Sequence, residues 1–348
     1  MHKIVVEDLQ TILEKPLNWE LLRGKSILVT GANGFLPAYM IEAILRLNDY
    51  AQFGCNVVGV VRNASRARTR FADYHERRDL NFIESDVSEP IRCATRCDII
   101  IHAASQASPK FFGPDPVGTM AANVIGTHHL LRLAKTWECE KFLLFSSGEV
   151  YGSVNIEKVP TREEDYGYID ILNKRSCYAE SKRAAETLLV SYASQFQIPG
   201  VIVRPFHTYG PGMSLDDGRV YADFVRSIVN KTDIVMTSDG KAVRAFCYLS
   251  DAVAGFFTVL LHGSVGQAYN VGNPDAAISI RELASMLVAL HSDLGLNVVC
   301  EPTARNDYLP SSISINSPNI DRIAKLGWRP SIMPSQGFER TIRYYLNS

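Results

Sequence analysis

The sequence lacks a long apolar run and a surplus of charge of either sign. No stretch reaches the roughly 18 consecutive apolar residues that a membrane span needs, and the first residues contain no apolar core of a signal peptide. Lysine and arginine number 36 against 37 aspartate and glutamate, so the net charge of -1 draws the chain neither to nucleic acid nor to an anionic membrane. We therefore expect a cytoplasmic protein with no nucleic-acid or membrane partner.

The sequence also lacks a cysteine pattern. Its seven cysteines are odd in number and mostly lie in apolar runs, as is typical of reduced thiols in a core. Cys93 and Cys97 are four apart, but no second pair of cysteines or histidines follows at the spacing of a zinc site. We expect reduced thiols and no metal site.

What the sequence does contain is an alternation of apolar runs with helical patterns along its 348 residues. Apolar, largely β-branched runs at 26–30, 57–61 and 141–145 are separated by helical patterns such as 38–47 and 126–135. Unbroken apolar strands separated by helices indicate a parallel sheet covered on both faces. The predicted fold class is α/β, with a doubly wound parallel sheet.

The pattern changes after residue 203 to a loop punctuated by proline and glycine. We predict a larger domain at 1–204, with a returning segment at about 241–275. A smaller C-terminal lobe, from 205–240 and 276–348, is predicted to lie over the carboxyl ends of the sheet. The cleft between the two is where a ligand should bind.

A glycine turn, Gly31-Ala32-Asn33-Gly34, follows the first predicted strand and opens a helix. In that context glycines allow a tight turn and the close approach of a pyrophosphate, which then lies at the helix N-terminus. Pro37 replaces the third glycine of the pattern, and the first helical turn tolerates proline. The residues predicted to bind a dinucleotide here are Gly31, Asn33, Gly34, Phe35 and Leu36.

Arg62 ends the second strand, where an NAD site usually has an acid for the ribose hydroxyls. A guanidinium suits a 2′-phosphate, so the predicted cofactor is NADP or NAD, with NADP favoured at least equally. The alternative is that Arg62 is solvated and that the arginines at 66, 68 and 70 form an exposed helix face. Further along, Asp86-Val87 is placed to meet an adenine edge, and Ala103-Ala104-Ser105 supplies small residues where a cofactor must pass.

Tyr178 and Lys182 are four residues apart on a predicted helix and so share one face. A tyrosine with a pKa near 10 needs roughly 4 kcal/mol of stabilisation of its phenolate to become a base at neutral pH. One ammonium at about 4 Å, helped by a cationic nicotinamide ring, supplies a similar amount at an effective dielectric of about 20. By itself the pair is also compatible with an ordinary surface helix.

The motifs occur in a characteristic order: G-x-x-G, D-V, H-A-A, S-S-x-E-V-Y-G, Y-x-x-x-K and R-P-x-x-x-Y-G-P. In this order the chain resembles the extended short-chain dehydrogenase/reductases, the NAD-dependent epimerase/dehydratase family, from about residue 25 onwards. The motifs around Ser108, Tyr178, Arg219 and Arg244 are most similar to those of UDP-glucuronate decarboxylases. The resemblance implies a Rossmann-type fold, a nucleotide-sugar substrate and a homodimer formed through a helix pair.

The resemblance also implies roles for the residues. Tyr178 would take the proton of the sugar C4 hydroxyl, Lys182 would hold the cofactor ribose and lower the phenol pKa, and Ser147 would bind the same hydroxyl. Glu149 would be the second acid/base of the middle step, and Asn123 would lie at the cofactor. The alternatives are that Ser147 caps a helix and that Glu149 belongs to a structural ion pair.

Three departures from the family pattern concern the sugar. Gly148 stands where dehydratases tend to have an acid and decarboxylases a serine, and this departure weakens the dehydratase interpretation most. His207 replaces an asparagine that touches substrate in the family, and the tail at 306–314 lacks the arginine that decarboxylases use near the sugar carboxylate. Arg244 remains to bind the diphosphate; the predicted substrate-binding residues are Ser108, His207, Arg219 and Arg244.

We therefore expect a redox-neutral enzyme that acts on a nucleotide sugar through a 4-keto intermediate. Decarboxylation of a UDP-hexuronate is the leading outcome, because loss of carbon dioxide from a β-keto acid needs no acid on a leaving group. The alternatives are 4,6-dehydration, epimerisation, and an inactive cofactor-binding regulator.

Overall fold

The computed structural model describes residues 1–301 and 313–347. Seven strands form one parallel sheet in the spatial order β10-β6-β5-β4-β1-β2-β3. These strands are β1 (Ser26–Thr30), β2 (Asn56–Val61), β3 (Leu80–Glu84), β4 (Ile99–His102), β5 (Lys141–Phe145), β6 (Gly200–Pro205) and β10 (Ala268–Val271).

Helices cover both faces of this sheet. Side chains alternate along each strand: Ile27 and Val29 of β1 belong to one core cluster, and Leu28 between them belongs to another. The first cluster packs against α1 (Lys3–Leu13), α2 (Phe35–Ala51) and α7 (Leu249–His262), and the second packs against α4 (Pro116–Trp137) and α5 (Ser176–Phe196). The short α3 (Ala64–Arg70) follows β2. This doubly wound arrangement confirms the predicted fold class.

A smaller lobe carries its own sheet and core. Strand β9 (Val243–Tyr248) pairs with β7 (His207–Tyr209), β11 (Ala277–Ser279) and β13 (Ile315–Asn316), and β8 (Ile234–Met236) pairs with β12 (Val298–Cys300). The helices of this lobe are α6 (Val220–Val229), α8 (Ile280–Leu290) and α10 (Pro334–Leu346); α9 (Asp321–Ala324) lies against β10. Tyr209 and Phe338 stack at its centre with ring centroids 3.8 Å apart.

The segment predicted to return to the larger domain, 241–275, is divided between the two sheets. Its first strand, β9, pairs within the smaller sheet, while α7 and β10 pack on or extend the larger one. The exact division of the chain into domains stays a prediction. No helix in the described part of the chain is long and apolar enough to span a membrane.

Parallel strands place their carboxyl ends at one edge, and this gathers the predicted motifs. The glycine turn follows β1, Arg62 follows β2, Ala103 follows β4 and Ser147 follows β5. The helix after β1 packs on one face of the sheet and the helix after β4 packs on the other. A crevice therefore opens at the carboxyl edge between these two strands.

Candidate active site

A cleft of about 1550 Å³ lies between the carboxyl edge of the large sheet and the smaller lobe. Nearly all the residues predicted from sequence line it. They are Gly31, Asn33, Gly34, Phe35, Leu36, Arg62, Asp86, Val87, Ala103, Ala104, Ser105, Ser108, Ser147, Glu149, Tyr178, Lys182, His207, Arg219 and Arg244. Asn123 is buried behind the cleft, where its Nδ2 donates to Ser181 Oγ at 2.9 Å.

The glycine turn is shaped by a close approach of two backbone segments. Gly31 has a φ of 66°, and a Cβ atom on it would lie 2.9 Å from the Cα of Ala104, so a larger residue does not fit. Gly34 precedes the 17-residue helix α2, whose first amides have no partner within the helix. The turn therefore presents a helix N-terminus to the cleft, as an anionic pyrophosphate requires.

Polar atoms next to this turn fit a dinucleotide. Ala104 N donates to Thr30 Oγ1 at 3.1 Å, which fixes the end of β4 beside the turn. Ser105 Oγ and Asn123 Oδ1 are buried and have no hydrogen-bond partner among the described residues. Buried polar atoms are rarely left unpaired in native proteins, so this region has the character of a ligand site.

The arginines that follow β2 separate into different environments. Arg62 and Arg66 are exposed and line the cleft, whereas Arg68 is exposed outside it. Arg70 forms an ion pair with Glu42, with 2.7 Å between Nη1 and Oε1. Arg62 and Arg66 thus both line the cleft after β2, and a contact of Arg62 with a ribose 2′ substituent stays a prediction.

Tyr178 and Lys182 lie one turn apart on α5 and both are buried. The Tyr178 hydroxyl forms a hydrogen bond with the side chain of Ser147. Lys182 Nζ donates to the carbonyl oxygen of Phe145 at 2.7 Å and lies 5.9 Å from the centre of the Tyr178 ring. The structure therefore brings Ser147, Tyr178 and Lys182 to one point at the end of β5.

Burial dominates the electrostatics of this pair. It raises the pKa of Tyr178, although the Ser147 hydrogen bond and Arg219 oppose that effect. Burial also lowers the pKa of Lys182 to about 7, with Glu186 opposing. Burial therefore outweighs the two groups that lower the pKa of Tyr178. Lowering of the phenol pKa by Lys182 together with a bound nicotinamide stays a prediction.

Glu149 is held beside these groups by an arginine. It lies in a short 3₁₀ turn, Gly148–Tyr151, where its backbone N–H donates to Ser147 Oγ at 3.1 Å. Its Oε2 is 3.0 Å from Nη1 of Arg175, and both side chains are about one-fifth exposed. Arg175 was not among the residues predicted from the sequence; it is the N-cap residue of α5, three residues before Tyr178.

Gly148 has little room for a side chain. A Cβ atom there would lie 3.2 Å from the ring of Phe206. The ring of Phe206 thus packs closely against the backbone of Gly148, next to Glu149.

The substrate-binding candidates line the other end of the cleft. Arg219 pairs with Asp217 at 2.5 Å and donates to the Ala107 carbonyl at 2.7 Å. Ser108 Oγ donates to the Asp217 carbonyl. The loops before α6 and after β4 are therefore joined across the cleft.

His207 and Arg244 lie on β7 and β9. His207 Nε2 is buried and has no hydrogen-bond partner among the described residues. Burial, reinforced by Arg244 and Arg219, holds the pKa of His207 well below its usual value. A neutral imidazole thus lies near two guanidinium groups, at the place where the sequence predicted substrate contact.

Comparison with known proteins decides the family. Residues 27–272 match the NAD dependent epimerase/dehydratase family. The chain belongs to this family. The assignment confirms the predicted family and the predicted class of NAD(P)-dependent enzyme; the choice between NAD and NADP stays a prediction.

Two curated relatives are similar over nearly the whole chain. UDP-glucuronic acid decarboxylase 1 from Arabidopsis thaliana is 32% identical over 92% of this chain and 70% of its own. UDP-glucuronic acid decarboxylase 6 from the same plant is 33% identical over 89% of this chain and 86% of its own.

Solved structures agree on the fold. UDP-glucose 4-epimerase from Thermotoga maritima superposes with a TM-score of 0.79 at 22% identity, over 92% of this chain and 99% of that one. UDP-glucuronic acid 4-epimerase from Bacillus cereus gives a TM-score of 0.77 at 23% identity, over 92% and 99%. At these identities the likeness shows the Rossmann-type fold alone.

A buried hydrogen-bond network behind the site was also not predicted from the sequence, where Arg204 is noted only as part of the R-P-x-x-x-Y-G-P motif. Arg204 donates to both carboxylate oxygens of Glu186, at 2.9 and 2.6 Å, and Ser146 Oγ donates to the same carboxylate. Glu186 is one turn after Lys182 on α5. The network joins the end of β5 to β6 and α5 at the residue before Ser147.

Within the tail at 306–314, positions 306–312 lie outside the described residues, so the prediction that an arginine is missing there is not tested.

Proposed function

We propose that the protein is a redox-neutral nucleotide-sugar enzyme that decarboxylates a UDP-hexuronate through a 4-keto intermediate, with tightly bound NAD(P). The observation that carries the proposal is that one carboxylate, Glu149, stands beside Ser147 and Tyr178 while its neighbour Gly148 contributes no acid. The similarity to UDP-glucuronic acid decarboxylases over about nine-tenths of the chain supports the same outcome.

The cofactor would be held by the glycine turn, by Ser105 and by Lys182. When bound there, the nicotinamide would supply reversible hydride transfer, so that the overall reaction would consume no external oxidant. Tyr178 would remove the proton of the C4 hydroxyl, with Ser147 donating to the same oxygen. Burial favours the neutral form of Tyr178, and Lys182 together with the positive charge of a bound oxidised nicotinamide would oppose that effect.

The middle step follows from the ketone at C4. The C5–C6 bond breaks, carbon dioxide leaves, and the electron pair moves to the C4 oxygen as an enolate. Hydrogen bonds from Tyr178 and Ser147 would stabilise that oxygen. Glu149 would donate the proton that C5 then takes up, and this role makes it the second acid/base.

The alternatives are 4,6-dehydration and epimerisation. A dehydratase needs an acid to protonate the departing hydroxyl, and Gly148 supplies none at the position where dehydratases tend to have one. An epimerase needs no carboxylate at position 149. An inactive regulator that retains the cofactor is disfavoured by the joint presence of Ser147, Tyr178 and Lys182 in the cleft.

Incubation with a panel of nucleotide sugars, followed by mass spectrometry of the products, tests the proposal. We expect UDP-glucuronate to lose the mass of carbon dioxide without added cofactor. A loss of water from a neutral nucleotide hexose would instead indicate dehydration, and a product of unchanged mass would indicate epimerisation. Purification with bound cofactor and no turnover of any sugar would indicate the regulator.

We further propose that NADP binds at least as tightly as NAD, because Arg62 and Arg66 line the cleft after β2. Replacing Arg62 by aspartate is expected to weaken NADP binding by about 10- to 100-fold relative to NAD, the amount carried by a charge-assisted hydrogen bond. Calorimetric titration of both cofactors into cofactor-free protein measures this ratio. Arg68→Asp, outside the cleft, is the matched control and should leave the ratio unchanged. Strong preference of the native protein for NAD would refute the assignment of Arg62.

We also propose a homodimer and a cytoplasmic location. Apolar side chains are exposed on the adjacent helices α4 and α5, namely Val117, Met120, Ile125 and Val190. All seven cysteines are free and five of them are buried, in keeping with a reducing compartment. Analytical ultracentrifugation tests the dimer, and charged substitutions at Met120 and Val190 should produce monomers.

A further inference from the structure

Helix α5 carries three buried polar residues at successive turns of one face. They are Tyr178, Lys182 and Glu186, each four residues after the one before. The first two form the predicted catalytic pair, and the proposed reaction gives Glu186 no part. Charged side chains are rarely buried unless they are paired, so a buried carboxylate one turn from this pair needs a reason.

The end of β5 meets all three residues of this face. The carbonyl oxygen of Phe145 accepts from the lysine ammonium at 2.7 Å, the Ser146 hydroxyl donates to the glutamate, and the Ser147 side chain bonds the phenol. Three consecutive residues thus each make one contact with the same helix face. The two contacts at the catalytic pair share their backbone with the contact at Glu186, because Ser146 lies between the residues that make them.

A guanidinium from β6 fixes this carboxylate. Arg204, only 1% exposed, donates to both oxygens of Glu186, at 2.9 and 2.6 Å. It also donates to the carbonyl oxygen of Glu163 at 2.7 Å and to the hydroxyls of Tyr151 and Tyr166, each at 2.8 Å. A two-point contact of this kind fixes the orientation of a carboxylate. Glu186 therefore offers a fixed acceptor to the end of β5.

The same carboxylate acts on the charge of Lys182. Burial lowers the pKa of Lys182 to about 7, and Glu186 opposes that effect. The other titratable groups that face the ammonium are Tyr178 on the same helix, with its ring centre 5.9 Å away, and His102 of β4. Burial lowers the pKa of His102 to about 3, so this ring is neutral. Among these described neighbours, Glu186 is the anion that favours the ammonium form.

We propose that Glu186 is a positioning residue, which through Ser146 fixes the end of β5 against the helix that carries the catalytic pair. The inference rests on the proposed function, because it concerns the groups that would activate the sugar C4 hydroxyl. Without this contact the strand end is free to shift relative to Tyr178 and Lys182. A misplacement of about 1 Å can cost about 100-fold in rate.

The positional part is tested by Ser146→Ala, which removes the hydroxyl and leaves Glu186 paired with Arg204. We expect kcat for UDP-glucuronate to fall by about 10-fold or more, with KM within about twofold, because the reacting groups move while the sugar contacts stay. Ser331→Ala is the matched control. Ser331 Oγ donates to the buried carboxylate of Asp251 at 3.0 Å outside the cleft, so its loss should leave kcat unchanged.

The charge is tested without any sugar. NAD and NADP are titrated calorimetrically into cofactor-free protein at a series of pH values. Glu186→Gln should lower the pKa of Lys182 further, so the pH above which cofactor binding weakens should move down by about one unit. Glu186→Asp keeps the charge but shortens the reach to Ser146, and it should retain the native pH dependence while kcat falls.

Glu42→Gln is the control for Glu186→Gln. Glu42 is a second buried glutamate with a two-point contact to an arginine, Arg70, at 2.7 and 3.2 Å, and it lies outside the cleft. Its loss should leave the pH dependence of cofactor binding native. If Glu186→Gln does not fold, Ser146→Ala and Glu186→Asp decide, because both leave Arg204 paired with a carboxylate.

Native kcat in Ser146→Ala, or an equal loss of kcat in Ser146→Ala and Ser331→Ala, would overturn the inference. A native pH dependence in a folded Glu186→Gln would overturn it as well. Failure of the proposed function is distinguishable from these results. If the pH dependence moves as expected but the native protein releases no carbon dioxide, the role of Glu186 stands and the proposed reaction is wrong. If all variants release carbon dioxide at the native rate, only the role of Glu186 is wrong.

Discussion

Tyr178→Phe is expected to reduce kcat by about 10²- to 10⁴-fold, the range for loss of a positioned acid/base. The hydroxyl removed is the group that contacts Ser147 and would take the C4 proton. The fold should persist, because one buried hydrogen bond contributes only about 1 kcal/mol. Steady-state turnover of UDP-glucuronate and thermal unfolding of the same sample provide both measurements.

Tyr192→Phe is the matched control for this experiment. Tyr192 is on the same helix, but its hydroxyl meets His128 at 3.2 Å, away from the cleft, and its loss should leave kcat unchanged. Lys182→Ala should reduce turnover and also weaken cofactor binding. The double variant at 178 and 182 should lose little more than the worse single variant, because the two act as a unit. Near-normal turnover of Tyr178→Phe would exclude Tyr178 as the base.

Glu149→Gln is expected to slow the steps after oxidation more than oxidation itself, so that reduced cofactor accumulates on the enzyme. Glutamine keeps the size of the side chain and a hydrogen bond to Arg175 but cannot take up or release a proton at C5. Stopped-flow absorbance of the reduced nicotinamide after mixing with UDP-glucuronate follows the accumulation. Loss of a general acid/base should lower overall turnover by about 10²-fold or more.

Glu180→Gln provides the comparison for Glu149→Gln. Glu180 is a glutamate of similar exposure that pairs with Arg183 outside the cleft, at 3.2 Å. It should show native kinetics. If Glu149→Gln instead lowers oxidation and product release together without any reduced cofactor, Glu149 serves as a structural partner of Arg175.

The order of motifs along the chain predicted most of the site. Four parallel strands each contribute a motif at the carboxyl end, so alternation of apolar runs was enough to bring Gly31, Arg62, Ala103 and Ser147 into one cleft. The same reasoning predicted the two covered faces of the sheet, because the runs at 26–30, 57–61 and 141–145 are apolar on both sides.

The features that the sequence did not predict depend on irregular backbone and on the burial of side chains. Arg175 reaches Glu149 only because the turn-rich stretch at 152–175 returns to α5 at that point, and such a path has no periodicity to read. The membership of β9 in the smaller sheet depends on pairing with β7 and β13, which are three and two residues long. The raised pKa of Tyr178 reflects desolvation, which spacing along a helix does not reveal.

We propose that this chain removes the carboxyl group of a UDP-hexuronate through its own bound cofactor. The most direct measurement uses UDP-glucuronate labelled at the carboxyl carbon, incubated with the purified protein and no added nicotinamide. We expect labelled carbon dioxide and a UDP-pentose in equal amounts, with the signal lost in Tyr178→Phe. Retention of all the label in the nucleotide sugar, together with loss of water from a neutral nucleotide hexose, would contradict it.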